Sequence, residues 1–111
     1  MSKPSKAVLM SLGSDSEILE AYKQKGKEEY AFGLLVKKYQ DRLYWHIRKI
    51  VLSHEDSDDA LQNTFVKAWQ SLDKFRSDSG LYTWLYRIAT NEALNLLKQK
   101  KNKGMAPWVD V

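Results

Sequence analysis

Apolar residues recur at spacings of three and four along most of this chain, the period of an amphipathic helix. Residues 1–13 lack it and read as a flexible leader. Ser14 or Ser16 can cap a short helix with the stripe Ile18, Leu19 and Tyr22, ending at Gly26. A long helix is predicted over 28–52, with Phe32, Leu35, Val36, Tyr39, Leu43, Ile47 and Ile50 on one stripe. Leu34, Trp45 and Leu52 lie on another side, so this helix is expected to be packed on two faces as the centre of a bundle. Ser53, three residues before Asp56, resembles a capping box with Asp in place of Glu, and opens a helix over 55–71. Its predicted core stripe is Leu61, Thr64, Phe65, Ala68 and Leu72, and its opposite face carries Asp59, Gln62, Asn63, Val66 and Gln70.

Residues 73–80 are polar, contain Gly80 and lose the period, so they read as an ordered loop with Ser79 capping the next helix. That helix is predicted over 81–101. Leu81, Leu85, Ile88, Ala89 and Leu96 face inward, whereas Thr83, Arg87, Thr90, Asn91, Lys98 and Lys101 share one outward quadrant. Glu92 falls at the centre of the apolar side: either a base of the long helix pairs with it, or the helix end is solvated there. Residues 102–111 read as the start of a linker. The expectation is an all-α fold, a compact bundle of three to four helices, with one domain over 14–101.

Length and composition narrow the field. A chain of 111 residues suits one domain, and without cysteine there is no disulfide framework, thiolate zinc site or cysteine nucleophile. The longest apolar runs are four residues, so no membrane insertion is expected, and the chain is placed in the cytoplasm. The net charge of +4 hides a pattern. Residues 1–52 carry ten bases and six acids, residues 53–71 one base and four acids, and residues 72–103 seven bases and three acids. An acidic segment between basic ones suggests two partner surfaces, although solvated faces would give the same counts.

No enzymatic chemistry emerges. His46 and His54 are isolated, and acidic residues after His54 suit the first turn of a helix better than a metal site. No glycine-rich phosphate loop is present, and neither a metal nor another cofactor is expected. Binding fits better. The last helix begins with Tyr82, Trp84 and Tyr86 beside Arg87 and ends in Lys98, Lys100 and Lys101. Aromatics interleaved with cations suit stacking on unpaired bases while neutralising phosphates, though Trp84 can equally fill the core. Arg76, Ser77, Asp78 and Ser79 beside Phe75 offer the donors and acceptors of a pocket for one extruded base, or form an ordinary capping loop.

These residues carry a resemblance. Glu55-Asp56-Ser57-Asp58-Asp59-Ala60-Leu61-Gln62-Asn63-Thr64-Phe65, followed by Phe75-Arg76-Ser77-Asp78-Ser79-Gly80 and Thr83-Trp84-Leu85-Tyr86-Arg87-Ile88-Ala89 with Asn91, closely resembles conserved region two of bacterial sigma factors. The likeness is to the extracytoplasmic-function group and covers residues 17–101. It implies that the helix carrying Asp58, Asp59, Gln62, Asn63 and Val66 docks on the β′ clamp helices of RNA polymerase. It also implies that the loop captures a non-template base of the promoter minus-ten element. Base capture then falls to Phe75, Arg76, Ser77, Asp78 and Ser79. Lys74, Thr83, Arg87, Asn91, Lys98 and Lys101 are assigned to the DNA backbone, and Tyr82 joins the DNA face.

Two positions depart from the family pattern: Asn63 stands where an acid is usual, and Ser77 where glycine is frequent. The resemblance further implies an anti-sigma partner. It also implies a second domain, region four, for which nothing after Lys101 is long enough, so the chain is expected to be the front of a longer factor or a shortened one. The competing readings are an adaptor that keeps the polymerase-binding or anti-sigma-binding face without melting DNA, a plain helix-turn-helix regulator, and, least supported, a hydrolase.

Overall fold

The computed structural model describes residues 13–76 and 80–102, and these are helical. The helices are α1 (Asp15–Lys23), α2 (Glu28–Val51), α3 (His54–Ser71) and α4 (Leu81–Asn102), with a 3-10 turn at Leu72–Lys74 after α3. The fold is all-α, as the periodicity predicts. Contacts divide the chain into two units, Met1–Arg42 and Leu43–Val111.

In the first unit, Ser14 rather than Ser16 starts α1. Its hydroxyl accepts from the Glu17 N–H at 3.2 Å, and the Glu17 carboxylate accepts from the Ser14 N–H at 2.9 Å. This reciprocal box satisfies two donors that a helix start leaves without partners. The backbone bond from Ser14 and then the bond to its hydroxyl hold the Glu17 carboxyl below its usual range. Asp15, in the first turn, accepts from Lys38 Nζ at 2.8 Å and from the Tyr39 hydroxyl at 2.6 Å, tying α1 to α2. Lys38 also donates to the carbonyl of Gly13, the last residue of the expected leader. Gly26, at φ +87°, turns the chain before α2 in a conformation open to glycine.

The buried residues of α2 are Ala31, Leu35, Tyr39, Leu43, Ile47 and Val51, every fourth position. Four residues overshoot a full turn by about 40°, so the buried line winds around the helix. That drift explains the difference from the predicted stripe, of which Phe32, Val36 and Ile50 are only half-buried. It also replaces the expected second packed face, because Trp45 and Leu52 are exposed.

In the second unit, α3 and α4 pack against each other. Their buried positions are mostly small: Ser57, Ala60, Thr64 and Ala68 in α3, and Ala89 and Ala93 beside Leu81 and Leu85 in α4. Small side chains let two helices approach closely. The predicted α3 stripe is displaced accordingly, with Leu61 and Phe65 half-buried and Ser57 and Ala60 taking the core positions. Ser57 and Thr64 donate to the carbonyls of Ser53 and Ala60, so neither hydroxyl is buried unsatisfied. Ser53 caps α3, its hydroxyl accepting from the Asp56 N–H at 3.1 Å. On α4, Leu81, Leu85 and Ala89 are buried as predicted, and Ile88 and Leu96 are half-buried.

Between α2 and α3 the chain turns on Leu52, a non-glycine residue at φ 68° with 75% of its surface exposed. An L-residue bears about 1–2 kcal/mol of strain in this left-handed conformation, which glycine adopts freely. Leu52→Gly is therefore expected to stabilise the protein by about 0.5–1 kcal/mol after the added flexibility of the unfolded chain is deducted. A higher urea midpoint at unchanged slope would show it.

Candidate nucleic-acid interface and acidic helix face

The segment after α3 brings Phe75, one of the predicted DNA-binding residues, to α4. Leu72 is buried, and its carbonyl accepts from the Phe75 N–H at 3.1 Å, closing the 3-10 turn. The turn includes Asp73 and Lys74, which the sequence pattern had placed in the loop. Phe75 is half-buried with its ring 5.2 Å from that of Trp84, so the two aromatics anchor the loop on the first turn of α4. Trp84 thus serves packing as well as position. Lys74 and Arg76 project into solvent. Ser77, Asp78 and Ser79 lie outside the described residues. The Gly80 carbonyl accepts from the Trp84 N–H, so Gly80 holds the position flanking α4.

On α4, Thr83, Arg87, Asn91, Lys98 and Lys101 are exposed together in one quadrant. Thr90 is half-buried, and Tyr82 is half-buried with its ring 5.8 Å from Tyr86. Two features escaped the sequence pattern. Leu94, half exposed at 50%, sits within the basic quadrant, with Leu97 at its border. Tyr86, 41% exposed, stacks on His46 of α2.

The α3 residues Asp59, Gln62, Asn63 and Val66 are all exposed on one face. Trp69 extends this face, since seven residues span nearly two turns from Gln62. Asp58, at its edge, lies 3.2 Å from His54 Nε2, and the other ring nitrogen of His54 is 2.6 Å from the Tyr44 hydroxyl.

Two ion pairs join α3 to α4. Lys67 Nζ lies 2.7 Å from Glu92 Oε2, and Lys100 pairs with Asp56. The pairing order makes the helices antiparallel. Glu92 therefore finds its base on α3, which is neither of the two alternatives the pattern leaves open, a base of the long helix or a solvated helix end. Its side chain is only 9% exposed, so a partner is needed to keep the charge there. The bond from Lys100, and after it the Ser53 hydroxyl, hold the Asp56 carboxyl below the ordinary range, while burial opposes them. Among the described residues no cluster of three or more metal-ligating side chains forms, and no helix is long and apolar enough to cross a membrane.

Comparison with known proteins decides the family. The model of sigma-70 region 2 matches residues 35–103, more than half of the chain. The chain belongs to the sigma-70 region 2 family. It is 44% identical over 94 residues to the ECF RNA polymerase sigma-E factor of Escherichia coli (strain K12), which covers 85% of this chain and 48% of that protein. The sigma-E factor of Haemophilus influenzae is 42% identical over 84 residues, covering 76% of this chain and 43% of that one. The chain thus spans about half the length of these relatives. Among solved structures, it is similar to an engineered region 2 of sigmaE in complex with GTAAAA, determined by NMR. That likeness has a TM-score of 0.72 and 34% identity, and it covers 90% of this chain and 97% of the other.

Within this region 2 domain of the ECF kind, the inter-helix pairs are the elements that sequence reading missed. Composition shows the charges but not which helix each one meets. Asp56 has a depressed folded pKa, so its stabilising contribution is complete above the unfolded value near pH 4 and disappears as pH falls through the folded value. Acid titration of unfolding should accordingly be shallower below about pH 4 in Asp56→Asn than in the unaltered chain. Lys67→Ala strands a nearly buried carboxylate and is expected to destabilise by about 1–3 kcal/mol. Replacing both Lys67 and Glu92 by Met should recover most of that loss in chemical denaturation.

Proposed function

We propose that this domain binds RNA polymerase and opens promoter DNA in transcription initiation, acting in the cytoplasm as part of a sigma factor. The exposed α3 face of Asp59, Gln62, Asn63 and Val66, with Asp58 at its edge, docks on the β′ clamp helices. The loop and α4 take the non-template strand of the minus-ten element. Arg76 with Phe75, Ser77, Asp78 and Ser79 captures a base, Tyr82 stacks, and Lys74, Thr83, Arg87, Asn91, Lys98 and Lys101 hold phosphates. The observation that carries this reading is the display of two chemically different surfaces on neighbouring helices, acidic and amide-bearing on α3, basic and aromatic on α4. The likeness to a region 2 solved with GTAAAA supports a nucleic-acid role for the second surface. An anti-sigma protein that covers one of these faces would silence the domain.

Opening DNA without nucleotide hydrolysis needs a compensating gain. Each base-pair step stacks by about 0.6–2.2 kcal/mol, and each base on an aromatic ring returns about 1–3 kcal/mol. Capture of one or two bases therefore nucleates a bubble, and the polymerase must hold it open. One observation favours the adaptor reading instead: Leu94 and Leu97 interrupt the basic quadrant with apolar surface suited to a protein partner.

The test has two arms. A labelled single strand carrying GTAAAA should bind more tightly than duplex or scrambled strand at moderate salt, and Arg76→Ala and Arg87→Ala should each weaken it about threefold to tenfold. Capture of β′ clamp helices should fall in Asp59→Ala and Gln62→Ala while DNA binding is kept. Equal affinity for scrambled strands sinks the melting role and leaves the adaptor. Undiminished clamp capture in both α3 variants removes the docking assignment.

A further inference from the structure

His46 is a lone histidine that neither binding face uses. It lies in the second unit, on the last part of α2, and its ring stacks on that of Tyr86 with centroids 3.8 Å apart and planes 23° from parallel. Its Nε2 stands 2.7 Å from Thr90 Oγ1. The Thr90 hydroxyl has one proton and donates it to the Tyr86 carbonyl at 2.9 Å. Thr90 is therefore the acceptor toward the imidazole, which places the ring proton on Nε2. Burial, and after it the charge of Lys49, lower the His46 pKa below the usual histidine value and so favour the neutral ring. One imidazole thus reaches Tyr86 twice, on its ring face and, through Thr90, at its carbonyl.

An exposed tyrosine on a helix ordinarily changes rotamer within picoseconds to nanoseconds. Here one face of the Tyr86 ring is closed by a hydrogen-bonded, half-buried partner, while 41% of the residue stays open to solvent. Tyr82 stands one turn before it at 5.8 Å, and Arg87 is its exposed neighbour in sequence. Covering the ring required only an apolar side chain. The imidazole adds a plane that matches the phenol and a hydrogen bond to the turn of α4 that carries it.

We propose that His46 is a positioning residue for single-stranded DNA, holding the Tyr86 ring as a preformed platform, with the Tyr82 ring tilted beside it, on which an unpaired base stacks. The inference rests on the reading of α4 as the single-strand face. It adds Tyr86 to the contacting residues and extends the supporting structure to α2. A ring already held in place does not have to be ordered by the base, so binding to it loses less freedom.

The experiment is a double-mutant cycle on the chain with the single strand carrying GTAAAA, with duplex of the same sequence as control. Tyr86→Ala should weaken single-strand binding by about 5- to 50-fold, and His46→Ala by about 3- to 10-fold. Adding His46→Ala to Tyr86→Ala should produce no further loss. His46→Phe, which keeps a stacked ring, should stay within about twofold of the unaltered chain, and duplex affinity should not move in any variant. A merely structural role would lower the melting temperature in His46→Ala without changing single-strand affinity. That result, an equal effect of His46→Ala with and without Tyr86, or a His46→Phe as weak as His46→Ala, overturns the inference. If the unaltered chain binds no single strand, the reading of α4 falls and takes this inference with it. If it binds and responds to Arg87→Ala but not to His46→Ala, the inference alone falls.

Discussion

The antiparallel packing of α3 on α4 is the constraint on which both candidate surfaces depend. Their buried positions are mostly small, which brings the backbones close but buries limited apolar area per residue. Alanine contacts alone specify register weakly. Lys67–Glu92 and Asp56–Lys100 supply that specification, because each pairs a charge on one helix with its opposite on the other at a defined height. A shift of one residue along α4 would turn its side chains by about 100° and carry Arg87 and Asn91 out of their quadrant. The outward faces are thus held by inward contacts that touch no partner.

The aromatic residues divide between holding and displaying. Phe75 and Trp84 fasten the start of the loop to α4, and His46 stacks on Tyr86 from α2. Tyr44 reaches His54, which in turn faces Asp58 at the edge of the acidic face. Phe75 and Tyr86, which the sequence pattern offers to a base, are also structural contacts, and only the part of each left open can meet one. Rings and charges held in place before a ligand arrives lose less freedom when it binds.

The charge pattern changes meaning once the pairs are known. Asp56 belongs to the acidic segment and Lys100 to the basic one, yet they neutralise each other. Lys67, the one base of the acidic segment, is likewise committed to Glu92. The charges outside these pairs are fewer than the counts suggest and are better separated: Glu55 and Asp59 on α3, with Asp58 facing His54, and Arg87, Lys98 and Lys101 on α4.

Much of this was legible without coordinates. Helix positions follow from period, caps and breakers, so Ser53, Gly26 and the polar stretch after Ser71 mark boundaries within a residue or two. The outward residues of α3 and the exposed cations of α4 follow from 100° per residue, and the family follows from the motifs they form. Period cannot show which small residues meet, however, so Ala60 and Ser57 were overlooked in favour of the larger Leu61 and Phe65. Nor can it follow a buried line that drifts about 40° at each step of four, as along α2. By itself, then, the sequence determined the helices, their outward chemistry and the family, because these depend on local backbone geometry. Tertiary structure alone decided that Glu92 meets Lys67, that Asp56 meets Lys100 and that His46 stacks on Tyr86. These partners stand 25 to 44 positions apart in the chain, and their meeting is set by how closely small side chains let helices approach.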